Sequence, residues 1–138
     1  MLDKRDFYIN GKWSKPSKKN DFEVINPSNE EPFATISLGH EEDTNAAVKA
    51  AKNAFVKWKE TSKEERIELL EKLLKIYKKR FDEMSNAISI EMGAPIDWSS
   101  AVQTASGQSH LEDFILRIKN FNFEKHFDSK SNNYINYE

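Results

Sequence analysis

Glu91-Met92-Gly93-Ala94-Pro95-Ile96 divides this chain of 138 residues into two helical stretches and decides how the rest is read. Upstream of it, apolar residues fall at Ile67, Leu70, Leu74, Tyr77, Phe81, Met84 and Ile88, alternately three and four apart, which is the period of one helix face. That spacing predicts a single helix of about 30 residues, roughly 45 Å long. Gly93 supplies the stop, because glycine tolerates the left-handed conformation in which helices end, and Pro95 keeps the helix from resuming early. Downstream, another helix is expected from about residue 97 to residue 120, with Val102, Leu111, Phe114, Ile115 and Ile118 on its apolar side.

Moving back toward the N-terminus, Ser62 and Glu65 form a capping-box pair that starts the long helix. An earlier helix begins at Glu41: Ala47, Ala51, Ala54, Phe55 and Trp58 share a stripe, and Glu41, Glu42 and Asp43 occupy the first turn, where the helix dipole favours anions. Before it the text is strand-like. Phe7-Tyr8-Ile9-Asn10-Gly11-Lys12-Trp13 and Phe22-Glu23-Val24-Ile25 are expected to pair as a hairpin around an exposed loop at residues 14–20. Asn26-Pro27-Ser28-Asn29 forces a turn, and Phe33-Ala34-Thr35-Ile36-Ser37-Leu38 alternates with period two as a third strand ended by Gly39. The tail, residues 121–138, is expected to be a two-stranded arm with a polar turn at Asp128-Ser129-Lys130-Ser131-Asn132-Asn133. The fold class expected is therefore α/β: N-terminal strands, three long helices, and a division into residues 1–120 and an arm at 121–138.

Composition narrows the partners. Twenty-one basic and twenty-three acidic residues give a net charge of -2, and no stretch collects the Lys and Arg needed to neutralise a run of phosphates, so nucleic acid is not an expected partner. A mean hydropathy of -0.77 and the absence of any apolar run near 18 residues argue against a membrane span. The N-terminus lacks the apolar core and small-residue cleavage site of a secretion signal. With no cysteine, disulfides and thiolate metal sites are excluded, and the expected compartment is the cytoplasm.

Few residues invite chemistry. A phosphate-cradling loop needs clustered glycines, and Gly11, Gly39, Gly93 and Gly107 are scattered. His40, His110 and His126 lie far apart, whereas a zinc site needs three or four converging ligands. His110 with Asp113 is expected to be an ordinary surface pair, and His40, at a helix start, to be solvated. Glu30-Glu31, Glu41-Glu42 and Glu64-Glu65 are adjacent pairs that do not face each other on a helix. Trp13, Trp58 and Trp98 are read as core or interface anchors. The stripe from Ile67 to Ile88 taken alone would suit a self-contained helical interaction module. The pattern covers only about three heptads, however, mixes in Tyr, Phe and Met, and follows strands.

The ordered set Ile9-Asn10-Gly11-Lys12-Trp13, Val24-Ile25-Asn26-Pro27, Ala34-Thr35-Ile36, Asp43 through Ala47-Val48, Ala50-Ala51 and Ala54-Phe55 to Trp58, Glu65-Arg66 and Glu91-Met92-Gly93-Ala94-Pro95 resembles the N-terminal part of an NAD(P)-dependent aldehyde dehydrogenase. It covers nearly the whole chain. Gln103, Gly107, His110 and Leu111 look like a bacterial branch that oxidises a broad range of aldehydes. Two positions depart from the pattern: Glu30 stands where the family's turn often carries Gly, and His40 where a small hydroxyl cap is common.

The resemblance implies that the parent enzyme oxidises an aldehyde to a carboxylic acid with NAD or NADP through a cysteine thioester, with an Asn stabilising the oxyanion and a Glu activating water. It places those catalytic and cofactor-binding residues after Glu138, so this chain alone is expected to be inactive and to bind no cofactor. Its implied role is the outer helical layer of the cofactor-binding domain and the start of the oligomerisation arm. The implied partners are the remainder of the parent polypeptide, further copies in a homo-oligomer and the aldehyde substrate; assembly of a truncated subunit with a full-length paralogue through the arm is a further possibility. Val102 and Ser106, with Gln103 beside them, match positions that line the family's substrate entrance. The backbone carbonyls of Val24, Ile25 and Glu91 match a monovalent-cation site in some relatives.

Overall fold

The computed structural model describes residues 1–126 and 134–136. Five short strands come first: β1 (Leu2–Lys4), β2 (Phe7–Ile9), β3 (Lys12–Ser14), β4 (Asp21–Asn26) and β5 (Glu31–Ser37). Their pairing corrects the expected hairpin. Asn10 and Gly11, at φ 54° and 76°, form the two-residue turn that joins β2 to β3 directly, with Tyr8 opposite Trp13 and their rings edge-to-face at 5.2 Å. β4 pairs instead with β5, antiparallel, and β1 joins the other side of β5 in parallel, giving the order β1-β5-β4. β1 had no strand signal in the sequence, since Leu2-Asp3-Lys4 has one apolar residue; its place comes from the free edge of β5.

The β4–β5 turn shows where each polar residue goes. Asn26 Oδ1 accepts from the Ser28 N–H at 2.9 Å, Asn29 Oδ1 accepts from the Glu31 N–H at 3.1 Å, and the Glu30 N–H donates to the Asn26 carbonyl at 2.8 Å. This leaves Glu30 at φ 60°, so the left-handed conformation is kept even though the residue is not Gly.

Three helices follow in turn: α1 (Glu41–Trp58), α2 (Lys63–Lys79) and α3 (Phe81–Met92). The last two replace the single 30-residue helix expected from periodicity. Arg80, at φ -105° and ψ 20°, separates them, and the local charges favour that break. Lys78 and Lys79 lie in the last turn of α2, while Asp82 and Glu83 open α3. The apolar period survives the break because the two helices keep the same face inward. At the α2 start the capping box forms as expected: the Ser62 hydroxyl accepts from the Glu65 N–H at 3.1 Å, and Glu65 Oε2 accepts from the Ser62 N–H at 2.7 Å.

Beyond Gly93 the chain is helical from Ile96 to Asn120, as α4 (Ile96–Trp98), a π-helical turn (Ser99–Thr104) and α5 (Ala105–Asn120). The π turn was not foreseen. α5 lies against α2, and at Gly107 any Cβ would collide with Tyr77 Oη. A mid-helix glycine costs about 1 kcal/mol relative to alanine, so the gap it leaves is an adaptation to that crossing. In the tail, β6 (Glu124–His126) and β7 (Tyr134–Asn136) pair antiparallel. The expected polar turn at residues 128–133 lies outside the described residues.

Little of this is buried. Among the described residues the only buried hydrophobic side chains are Ala34 and Ile115, at 4% and 7% exposure. The α1 stripe is open, with Phe55 58% exposed, and the α2–α3 stripe is half-buried except for Met84, which is exposed.

Candidate functional site

The junction quoted first holds the region together. Gly93 caps α3 in the left-handed conformation, φ 70°, and its N–H donates to the Ser89 carbonyl at 2.9 Å. Ser89 Oγ donates onward to the Ala94 carbonyl at 2.7 Å. The same glycine touches the β4–β5 turn: a Cβ there would lie 3.0 Å from Pro27 Cβ and 3.3 Å from Ser28 Oγ. Two independent demands, positive φ and close approach, therefore meet at one residue.

From this joint an apolar groove of about 860 Å³ runs between the sheet and the helices. Phe33 and Ile36 of β5 form one wall; Leu73 and Ile76 of α2 and Met84 and Ile90 of α3 form the other. Leu73 is 47% exposed and Ile76 54%. Sequence reading missed this second stripe, although the signal was present. In Leu69-Leu70 and Leu73-Leu74 the neighbours point about 100° apart on a helix, so such doublets give α2 an apolar surface too wide for one partner.

The implied entrance residues lie in the π turn and the first turn of α5. Val102 is in the π turn, 37% exposed, and Ser106 Oγ donates to its carbonyl at 2.7 Å, so both sit on one outward face. Neither lines the groove. Gln103 points inward, its amide nitrogen 3.4 Å from the Met92 sulfur and its amide oxygen buried without a hydrogen-bond partner. Inside the same turn Ser99 and Thr104 are wholly buried, and Thr104 Oγ1 lies 3.0 Å from Ser85 Oγ. The Tyr77 hydroxyl donates to the Thr104 carbonyl at 2.9 Å.

Val24 of β4 and Glu91 of α3 both line the groove, where the two elements are in contact. Ile25 stands opposite Pro32, which has no N–H to give, and the ladder shifts register between Val24 and Ile25. Glu91 is one residue from the end of α3, where carbonyls lack intrahelical donors and the dipole is negative. Carbonyl oxygens in such a field suit a cation. Among the described residues no group of three His, Cys, Asp or Glu side chains could hold a metal ion.

Among the described residues the glycines do not gather into a phosphate cradle. Of the four glycines, Gly39 alone stands between a strand and a helix, and a Cβ added there would lie 3.6 Å from the Phe7 ring. The α1 N-terminus behind it is already answered: the His40 N–H donates to Asp43 Oδ2 at 2.9 Å, and Asp43 also accepts from the Ser17 N–H at 2.8 Å. The His40 amide, with Ser17 beside it, holds the Asp43 carboxyl below the ordinary aspartate range, and three acidic residues in that turn would repel a pyrophosphate. His40 itself is only half-exposed, with Nε2 buried and unpartnered, contrary to the solvated position expected for it. His110 and Asp113 are both exposed on α5, where Asp113 pairs with Arg117 at 2.5 Å. No helix is long and apolar enough to cross a membrane among the described residues.

Comparison with known proteins gives a consistent result. The model of the aldehyde dehydrogenase family matches residues 13–138. The chain is 40% identical over 126 residues to a 3-succinoylsemialdehyde-pyridine dehydrogenase of a Pseudomonas species, covering 91% of this chain and 26% of that protein. It is 37% identical over 125 residues to a putative aldehyde dehydrogenase of Staphylococcus aureus, with the same coverage of each. Among solved structures, an aldehyde dehydrogenase from Bartonella henselae superposes with a TM-score of 0.93 at 49% identity, over 96% of this chain and 28% of that one. A mutant aldehyde dehydrogenase C from Pseudomonas syringae, in complex with NAD+ and octanal, superposes with a TM-score of 0.87 at 32% identity, over 90% and 26%. The chain thus spans about a quarter of the length of the relatives it matches.

Proposed function

The chain belongs to the aldehyde dehydrogenase family, and from that premise we propose that it works as the N-terminal portion of a larger enzyme that oxidises an aldehyde to a carboxylic acid with NAD+ or NADP+. The observation that carries this reading is the open groove walled by Leu73, Ile76, Met84 and Ile90, an apolar surface of the kind that packed interiors cover. In this reading the groove lies against the rest of the cofactor-binding domain. Residues 1–120 supply the outer strands and helices, and residues 121–138 begin an arm that joins subunits of a homo-oligomer in the cytoplasm. Val102 and Ser106 border the entrance through which the aldehyde passes. Nucleophile, base and dinucleotide contacts belong to the remainder of the enzyme, consistent with a chain that has no cysteine and no glycine cradle.

The test is an assay of the purified 138-residue chain with NAD+ or NADP+ and a panel of aldehydes, following formation of the reduced nicotinamide. No aldehyde-dependent reduction is expected. Turnover by this chain alone would overturn the proposal, since it would require a nucleophile other than cysteine. A self-contained helical module, the competing reading from sequence, fits poorly with a molecule whose family and neighbours are aldehyde dehydrogenases.

A further inference from the structure

A π-helical turn is rare and local: it widens the helix by one residue, and it persists only where neighbouring groups hold the extra residue in place. Here the Ala105 N–H reaches back to the Ser100 carbonyl, five residues earlier. Returning the turn to α-helical spacing would rotate one flank against the other by about 100°, moving Val102 relative to Ser106. What prevents this comes from α2 and α3. Thr104 is wholly buried, its hydroxyl beside Ser85 and its carbonyl held by the Tyr77 hydroxyl, while Gln103 is tied to Met92. Of these contacts Tyr77 alone reaches the backbone of the turn, across 27 residues of sequence. Gly107 makes room for it, because a side chain at 107 would occupy the space of Tyr77 Oη.

We propose that Tyr77 is a positioning residue for the substrate entrance: its hydroxyl fixes the π turn in the register that turns Val102 and Ser106 outward, and so sets how bulky an aldehyde passes. The inference rests on the reading of Val102 and Ser106 as entrance residues. Tyr77 touches no reacting atom in it and acts only through the Thr104 carbonyl. If Tyr77 merely packs α2 on α5, its loss should lower stability without discriminating between substrates.

The experiment is Tyr77→Phe in the full-length polypeptide, assayed with acetaldehyde and octanal. The expected result is a KM for octanal changed on the order of three- to tenfold, with kcat for acetaldehyde within about twofold of wild type. Gly107→Ala, which displaces the same hydroxyl, should shift the octanal KM in the same direction, and the double variant should add little to either single one. Equal loss of kcat for both substrates, or no change for either, would overturn the proposal. Hydrogen exchange provides a readout independent of activity: amides of residues 103–108 should exchange on the order of tenfold faster in Tyr77→Phe while α2 amides keep their protection. Unchanged protection there would show that Tyr77 does not hold the turn. Absence of aldehyde turnover by the unaltered full-length polypeptide would instead overturn the enzyme reading and with it the entrance role, leaving the exchange result to decide the structural half.

Discussion

Two residues in the left-handed region make opposite predictions. Gly93 is under two constraints, a φ of 70° and Pro27 at 3.0 Å from any added Cβ. Gly93→Ala should cost about 2–3 kcal/mol, combining the left-handed penalty of an L-residue with the displacement of the turn it touches. Glu30 occupies nearly the same conformation, φ 60°, with a side chain that gains nothing from it. Glu30→Gly should stabilise by about 0.5–1 kcal/mol, because the relief of strain exceeds the extra entropy of glycine in the unfolded chain. Both are measured as shifts in the urea midpoint of the full-length polypeptide, and a loss on Glu30→Gly would refute the strain. Gly93 could be read in the sequence because a glycine followed by a proline after a long apolar period has one ordinary meaning. The strain at Glu30 could not be read, since it is imposed by Asn26, Asn29 and the β4–β5 register together.

Helix starts carry the predictions at the scale of elements. Removing the α2 cap with Ser62→Ala should cost about 1 kcal/mol, seen as an earlier loss of helical circular dichroism on heating. Acid should weaken the same starts. Asp43 at α1 and Glu65 at α2 have carboxyls held below their ordinary values by backbone N–H donors, those of His40 and Ser62 respectively. A depressed pKa contributes stability above the unfolded-state value, near 3.8 for Asp43 and 4.5 for Glu65, which is lost as pH falls through the lower folded value. Helicity should therefore hold at neutral pH and decline below about pH 4, less steeply in Asp43→Asn; an unchanged acid titration in that variant would remove Asp43 from the account. The caps at Ser62 and Gly93 and the helix starts were legible because each is a local pattern. The break at Arg80 was not, because the apolar period passes through it unchanged and only the reversal of charge, Lys78-Lys79 to Asp82-Glu83, marks it. The β2–β3 hairpin is hidden for a related reason: residues 7–13 read as one strand-like stretch, whereas Asn10 and Gly11, two residues with positive φ, suffice to close a hairpin of their own.

At the scale of the whole molecule, α2 has two apolar sides with different fates. Leu70 is half-buried on the side that carries Tyr77 toward α5, whereas Leu73 faces the groove and is 47% exposed. If the groove is covered in the complete enzyme, fully burying Leu73 is worth about 1.5–3 kcal/mol there and roughly half as much in the isolated chain, where it is 47% exposed. Leu73→Gln should consequently destabilise the isolated chain by only about 1 kcal/mol and make it more soluble, with less binding of a hydrophobic dye, while lowering the stability of the full-length polypeptide by about 2–3 kcal/mol. Leu70→Gln should destabilise both. Comparing urea transitions and dye fluorescence of the two variants in both polypeptides separates a covered face from one made for solvent. Equal effects of Leu73→Gln in the short and long polypeptides would mean that nothing packs against the groove, and the role proposed for this segment would fall with it. The width of the apolar surface on α2 was available from its leucine doublets. What covers it lies in contacts that no periodicity within these residues encodes, which is why the family could be recognised from the sequence while the groove had to be found in the structure.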